Sequence, residues 1–310
     1  PIYSYLAIYI LGYLAVYLYL YFTAVLRSFG NSMFQAVAML VSTILNAILD
    51  PIFIHFIGFH GAAIATLLSQ VICLAFMLIY LKKKKLFEFK ISAFDKNDVL
   101  TLIQKAIPSV IQQSIPAIST TFLTALVSTY SVTAIAAYGV TGKLETILFY
   151  PAMALNMVLT TIIGQCVGGA CYDRAKDYLK CALGYGCGLL VILSVLVVGF
   201  SRQLSGLFVK SDAVAAIVGT YFLIVSVGYI LNTVTNCYLG ALNGMGKPSK
   251  SMFLMIFYYI VVRMPLAYLL SYLGFGLNGI WVAVLVSHVV ASVAAGISGT
   301  IAIKKRTSTT

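Results

Sequence analysis

Polar residues in this chain come in short breaks, and apolar residues come in long runs. The runs predict nine helices, at about 3–26, 33–56, 62–81, 102–127, 134–163, 179–200, 214–239, 252–272 and 278–303. Each is near or above the roughly 20 apolar residues that a bilayer crossing needs. Backbone N–H and C=O groups in hydrocarbon must be satisfied within the spanning structure, which leaves helices or a closed barrel. The ten-residue blocks of alternating polarity that mark a barrel are absent, so the expected fold class is an all-α polytopic membrane protein. The longest polar stretch, residues 82–98, reads as a linker between residues 1–81, with three helices, and residues 99–310, with six.

Composition sharpens this picture. Of the 310 residues, 61% are hydrophobic and only 9% are charged, with a mean hydropathy of +1.01. A soluble domain carries about a quarter charged residues, so a soluble enzyme with one anchor is excluded. The formal net charge of +12 does not read as a nucleic-acid footprint, because the basic residues sit in small groups between apolar runs instead of forming one patch. With the Lys82–Lys85 loop placed in the cytoplasm, sixteen of the twenty Lys and Arg residues fall on or beside that side. That asymmetry fits the positive-inside rule and places the C-terminus in the cytoplasm of a multi-pass cell-membrane protein. Pro1 is not an initiator Met, and no basic segment precedes the first apolar run, so that run is not read as a signal peptide. The natural chain is expected to begin earlier, with an odd number of preceding spans if its N-terminus is also inside. The six cysteines lack any Cys-x-x-Cys spacing and are read as small apolar residues.

The segments flanking the linker repeat. LRSFGNS, a span and then GFHGAAIATLLSQV stand before it; LNGMGKPSKS, a span and then GFGLNGIWVAVLVSHV stand after it. Aligning Gly61 with Gly279 pairs Ala65 with Ala283, Ser69 with Ser287 and Gln70 with His288, while Gly30 pairs with Gly246 after a two-residue offset. Helices one to three therefore repeat as helices seven to nine in the same orientation, a parallel repeat about an axis along the membrane normal. If the last six helices form one lobe, the first three are half of another.

Few ionisable residues lie inside spans, and each is a functional candidate because burying a charge in lipid is expensive. Asn46 and Asp50 are four apart and share a helical face, and Pro51 follows them, removing a backbone donor and bending the helix. The functional reading is a proton or Na+ site; the structural reading is a polar residue satisfying a broken backbone. Glu145 and Lys143 read equally as a snorkelling pair at the interface and as a gate or substrate contact. For Arg263, near Pro265, a structural ion or carbonyl partner is favoured. Tyr5, Tyr9, Tyr13, Tyr17 and Tyr21 form a stripe at spacing four, suited to flat organic cations by cation–π contact or to ordinary packing. Gln112 and Gln113, and Asn232 and Asn236, are polar positions able to bind substrate or to join helices. No phosphate loop, zinc-protease or serine-hydrolase signature is present, so no enzyme is expected.

The runs NAILDP at 46–51, GAAIAT at 61–66, GQCVGG at 164–169 and LNGMGKP at 242–248 resemble those of the multidrug and toxic compound extrusion (MATE) transporters. The resemblance covers essentially the whole chain. It implies a bundle of twelve helices in two lobes, of which this chain corresponds to nine: half of the N-terminal lobe and the whole C-terminal lobe. It also implies a secondary antiporter that exports organic cations or drugs in exchange for H+ or Na+, with no cofactor beyond that ion. A monomer in the bilayer is expected, with no nucleic-acid partner. One branch of the family holds the ion in the N-terminal lobe with an Asn and an Asp of the fifth helix, a Thr of the sixth and an Asp of the first. Asn46, Asp50 and Thr66 match the first three, with Pro51 as the helix kink, and the fourth would lie upstream of Pro1. Another branch uses acidic residues on the first and fourth helices of the C-terminal lobe; those helices here offer Gln112, Gln113, Asn232 and Asn236, which argues against a cation site there. The expected substrate cavity comprises Tyr5, Tyr9, Gln112, Gln113, Asn232 and Asn236. The runner-up is a related flippase for a lipid-linked saccharide, whose pyrophosphate usually needs several basic residues.

Overall fold

Two positive-φ glycines and a face of small residues organise the first helices. The computed structural model describes residues 2–30, 32–84 and 95–307, with side chains for all of these except 2–9, 11, 32, 35, 59 and 305–307. It divides into two units, Pro1–Ala93 and Phe94–Thr310, and the division falls within the polar stretch at 82–98. Of that expected linker, residues 85–94 lie outside the described residues, while Lys82 and Lys83 continue one helix and Lys96–Asp98 open the next.

The first unit contains α1 (Ile2–Ser28), α2 (Ser32–Ile57) and α3 (Phe59–Lys83). Gly30 ends α1 at φ +77°, and Gly58 joins α2 to α3 at φ +71°, conformations that side chains disfavour. α3 packs on both α1 and α2, burying Tyr19, Phe22 and Leu26 of α1 against Cys73, Met77 and Leu81 of its own face. α2 stays helical through Pro51. Just beyond, α3 approaches so closely that a Cβ on Gly61 would overlap the Phe53 carbonyl.

The second unit opens with α4 (Lys96–Ser128), α5 (Val132–Gly168), α6 (Tyr172–Gly206) and α7 (Asp212–Gly244). These helices overrun the predicted ones at both ends. An apolar-run criterion sees only the hydrocarbon part of a helix, whereas caps set the true starts: Asp95 accepts from the Asn97 N–H at 2.8 Å, and Ser131 from the Ala134 N–H at 3.0 Å. α7 is buried along most of its length against α5, α6 and α10. Exposed Ile192, Val195 and Phe200 on α6 suit a lipid-facing surface. The last run holds α8 (Pro248–Ile256), a π-helical segment Phe257–Arg263, α9 (Met264–Leu270), a second π segment Ser271–Phe275, and α10 (Gly276–Thr307). The backbone leaves helical dihedrals at Gly274 and Gly276, between the two predicted helices. The first π segment, which the pattern did not predict, ends two residues before Pro265, whose missing N–H deprives the preceding turn of a donor.

By length and composition, seven helical runs among the described residues are able to cross a membrane. The last of them, Pro248–Lys304, has 57 residues, much more than the roughly 20 of one crossing.

The repeat carries through to backbone detail. Gly30 and Gly246 take φ of +77° and +73°. Gly58 and Gly276 both combine positive φ with ψ −147°. Ser69 and Ser287, both buried, each donate to the carbonyl three residues back, at 2.9 and 2.6 Å.

Between α5 and α7 the glycines supply the fit. A Cβ on Gly240 would press into the Asn156 backbone, and one on Gly244 would lie 2.7 Å from the Thr160 carbonyl, a small-residue contact of the kind that brings membrane helices together. Gly240→Val is therefore expected to destabilise the fold by about 1–3 kcal/mol through overpacking. Its apparent unfolding midpoint in detergent would drop clearly below that of the parent, and an unchanged midpoint would mean that the two helices can separate without penalty.

Candidate functional site

In the first unit α2 and α3 bring three of the sequence-derived residues together. Asn46 donates through Nδ2 to Asp50 Oδ1 at 3.2 Å and, across to α3, to Thr66 Oγ1 at 3.3 Å. The Thr66 hydroxyl donates in turn to the Ala62 carbonyl at 3.0 Å. All three are half-buried. Pro51 removes the N–H that would otherwise reach the Ala47 carbonyl, leaving another oxygen near this turn without its usual donor. The cluster is rich in oxygen, the donor type that hard cations prefer. Rotating the Asn46 amide by half a turn would present its Oδ1 in place of Nδ2. Thus the same three side chains can form a closed hydrogen-bonded set or open toward a cation.

The tyrosine stripe divides. The side chains of Tyr5 and Tyr9 lie outside the described residues. Tyr13, Tyr17 and Tyr21 are exposed on their unit, and it is Tyr19, off the stripe, that joins the core.

In the second unit Gln112, Gln113, Asn232 and Asn236, all expected, line one cavity of about 340 Å³. Asn156 and Asn243, which sequence reasoning missed, join them. The amides are linked: Asn156 Nδ2 donates to Asn236 Oδ1 at 3.3 Å, and Asn236 Nδ2 to the Asn232 carbonyl at 3.0 Å. Gln112 fastens helices together, donating to the Pro248 carbonyl at 2.9 Å and accepting from Asn243 at 3.2 Å.

Two charged residues share this cavity. Glu145 is not paired with Lys143, which is exposed. Instead its Oε1 accepts the phenol protons of Tyr221 at 2.6 Å and Tyr229 at 2.8 Å, ordinary lengths for O–H···O hydrogen bonds. The two tyrosines stand eight residues apart on α7, so they face Glu145 from one side of that helix. Among the described residues Arg263, only 7% exposed, has neither the ion nor the carbonyl partner expected of it. Its Nε donates to Ser287 Oγ at 2.7 Å, its Nη2 lies 3.3 Å from His288 Nε2, and its guanidinium sits over the Tyr259 ring, 4.4 Å from the centroid. A guanidinium has no acceptor, so His288 Nε2 accepts. The imidazole proton then sits on Nδ1, which is buried without a partner. The alignment of His288 with Gln70 in the repeat was the one signal of its place in the sequence.

Comparison with known proteins follows the same lines. A family model described as MatE matches residues 108–269. The chain is 32% identical over 153 residues to the probable multidrug resistance protein NorM of Pasteurella multocida, covering 48% of this chain and 33% of that one. It is 27% identical over 281 residues to the FAD transporter of Shewanella oneidensis, covering 87% and 61% respectively. A crystal structure of MATE in the bent conformation superposes with a TM-score of 0.90 at 22% identity, over 98% of this chain and 69% of that chain; at such identity the likeness concerns the fold. The chain thus spans 33% and 61% of the lengths of these two curated relatives.

The Glu145 arrangement is testable by itself. Removing one phenol donor, in Tyr221→Phe or Tyr229→Phe, is expected to lower stability by about 1.5–3 kcal/mol, the range for a hydrogen bond to a charged group. Thermal unfolding in detergent checks this, and two variants as stable as the parent would mean that Oε1 does not depend on either phenol.

Proposed function

The chain belongs to the MatE family, and from that premise we propose that it works in a drug exporter, an antiporter that expels organic solutes in exchange for H+ or Na+. The observation that carries this reading is the meeting of Asn46, Asp50 and Thr66 across α2 and α3. An acidic side chain inside a membrane span is a functional candidate by default, and here an amide and a hydroxyl attend it. The relatives that share the family bear transporter names, a multidrug resistance protein and an FAD transporter, in keeping with a carrier of organic solutes.

In this reading the chain contributes nine spans, its C-terminus is cytoplasmic, the protein resides in the cell membrane as a monomer, and no cofactor is needed beyond the coupling ion. Cation binding at Asp50 breaks the Asn46 hydrogen bond and rearranges α2 around Pro51. Solute and cation then exclude each other, and alternating access follows from two states with different affinities for each. A saccharide-lipid flippase is less well supported, since Arg263 is the one Lys or Arg among the described residues that line the cavity of the second unit.

The test uses proteoliposomes of the whole natural protein, loaded with a fluorescent organic cation, under an imposed pH gradient and then an imposed Na+ gradient. Asp50→Asn is expected to reduce gradient-driven efflux at least about tenfold, the consequence of losing ~1.4 kcal/mol of coupling, and the gradient that drives the parent identifies the ion. Efflux by the variant at the parental rate under both gradients would sink the proposal.

A further inference from the structure

We propose that the groove between α2 and α3 of the first unit binds one anionic phospholipid, with an acyl chain lying along the groove and the phosphate at Lys83. Side chains of both helices, Val37 and Val41 from α2 and Phe76 and Ile79 from α3, line a space of about 410 Å³, within the roughly 300–1,000 Å³ range of small-molecule sites. Its floor is made of small residues. Ala38 and Cys73 are buried, and the Cys73 thiol donates to the Ala38 carbonyl at 3.5 Å, so the two helices touch there and leave a furrow above the contact.

The furrow has the depth of one leaflet. From Cys73 to Lys83 is ten residues, about 15 Å at the helical rise, and half of a hydrocarbon core of roughly 30 Å is the same length. Along that stretch Val37, Val41, Phe76 and Ile79 stand exposed and suit a hydrocarbon chain. The end of the furrow is different. Phe34 and Tyr80 stack there with centroids 3.8 Å apart, an aromatic pair of the kind found at the membrane interface, and Lys83 closes α3 and lines the same space.

The charge at that end lacks a counter-charge. Lys82, Lys83 and Lys84 are exposed, and none of them makes an ion pair among the described residues. The one acidic residue before Lys85 is Asp50, sixteen residues along α2 from Phe34, or about 24 Å. Successive residues of a helix point about 100° apart, and of the three lysines Lys83 is the one that lines the furrow. A basic cluster just past the end of a span attracts anionic headgroups. Here it stands over an apolar furrow one leaflet deep, which favours a phosphate carried on an acyl chain over a free one. A helix of the protein seated there would have to bring an acid to Lys83, whereas a phospholipid carries its phosphate with it. α2 and α3 also carry Asn46, Asp50 and Thr66, so the lipid spans the same two helices at their other end.

The experiment places the whole natural protein in phosphatidylcholine vesicles with a trace of phosphatidylglycerol or phosphatidylcholine whose acyl chain carries a diazirine. After irradiation the adducts are mapped by peptide mass spectrometry. Adducts on residues 34–41 and 73–83 are expected to be at least about fivefold more abundant with the anionic lipid, a factor equivalent to ~1 kcal/mol. Lys83→Gln should bring them down to the phosphatidylcholine level, while Lys82→Gln, the same loss of charge one residue away, should leave them nearly unchanged. Val41→Trp, which fills the furrow, should remove them for both lipids. Adducts on the exposed α6 face at Ile192, Val195 and Phe200 report folding and insertion and should be the same in every variant. Equal labelling of the two stretches by both lipids in the parent would overturn the inference. So would the absence of labelling with both, the sign that protein fills the furrow, and neither result depends on a variant folding. Equal losses in Lys82→Gln and Lys83→Gln would overturn it too, since that is the behaviour of a diffuse surface charge. Transport is not read, so the outcome is independent of the ion at Asp50.

Discussion

A chain that crosses hydrocarbon meets no water there to take the hydrogen bonds of its backbone or side chains, and this constraint shapes each part of the structure. The backbone answers with long helices. Hydroxyls answer by bonding back to their own turn, as Thr141 does to the Ala137 carbonyl and Thr233 to the Tyr229 carbonyl, so that Ser and Thr are carried through apolar runs at little cost. Amides answer by bridging, as Gln112 does between Asn243 and the Pro248 carbonyl. The acidic and basic side chains that remain within the spans stand out against this, and among them are Asp50 with its neighbours and the pair Glu145 and Arg263 of the second-unit cavity.

The internal repeat relates these two places. α2 and α3 in the first unit correspond to the α8–α9 run and α10 in the second, down to the dihedrals of Gly58 and Gly276 and the hydrogen bonds of Ser69 and Ser287. Between the paired helices of the first copy stand Asn46, Asp50 and Thr66, a set that lacks a positive charge. At nearly the same point of the second copy stands Arg263, held by Ser287 and His288, the counterparts of Ser69 and Gln70. One copy therefore carries an acidic side chain near the point where the other carries a basic one.

How much of this was legible in the sequence depended on whether the signal was local. The helices and the Gly274–Gly276 break follow from apolar runs and glycine punctuation. Asn46 and Asp50 stood out because two polar residues at spacing four within an apolar run share a face. Thr66, on another helix, was reachable only through family resemblance, because contacts between helices leave no trace in spacing. Glu145 read equally as an interfacial neighbour of Lys143 and as a gate or substrate contact, because its real partners, Tyr221 and Tyr229, are phenols in an apolar run and pass for packing residues. The π segment before Pro265 was invisible because hydropathy does not distinguish one kind of helical turn from another. The tyrosine stripe shows the converse limit: periodicity identifies a face, yet Tyr13, Tyr17 and Tyr21 lie on the exposed side of their unit, and no pattern within a helix says what that face meets.

The contrast between amides and charges in the second unit bears on its chemistry. Joining helices needs no charge, and Gln112, Asn156 and Asn236 do so as neutral groups whose donors and acceptors match. A carboxylate and a guanidinium at the same depth add a desolvation penalty that amides avoid. Had the two charges been brought together, their attraction would have offset part of that penalty. Held apart, each is stabilised only in part: Glu145 by two phenols, Arg263 by a hydroxyl, an imidazole and the face of Tyr259. Those partners orient both groups and neutralise neither.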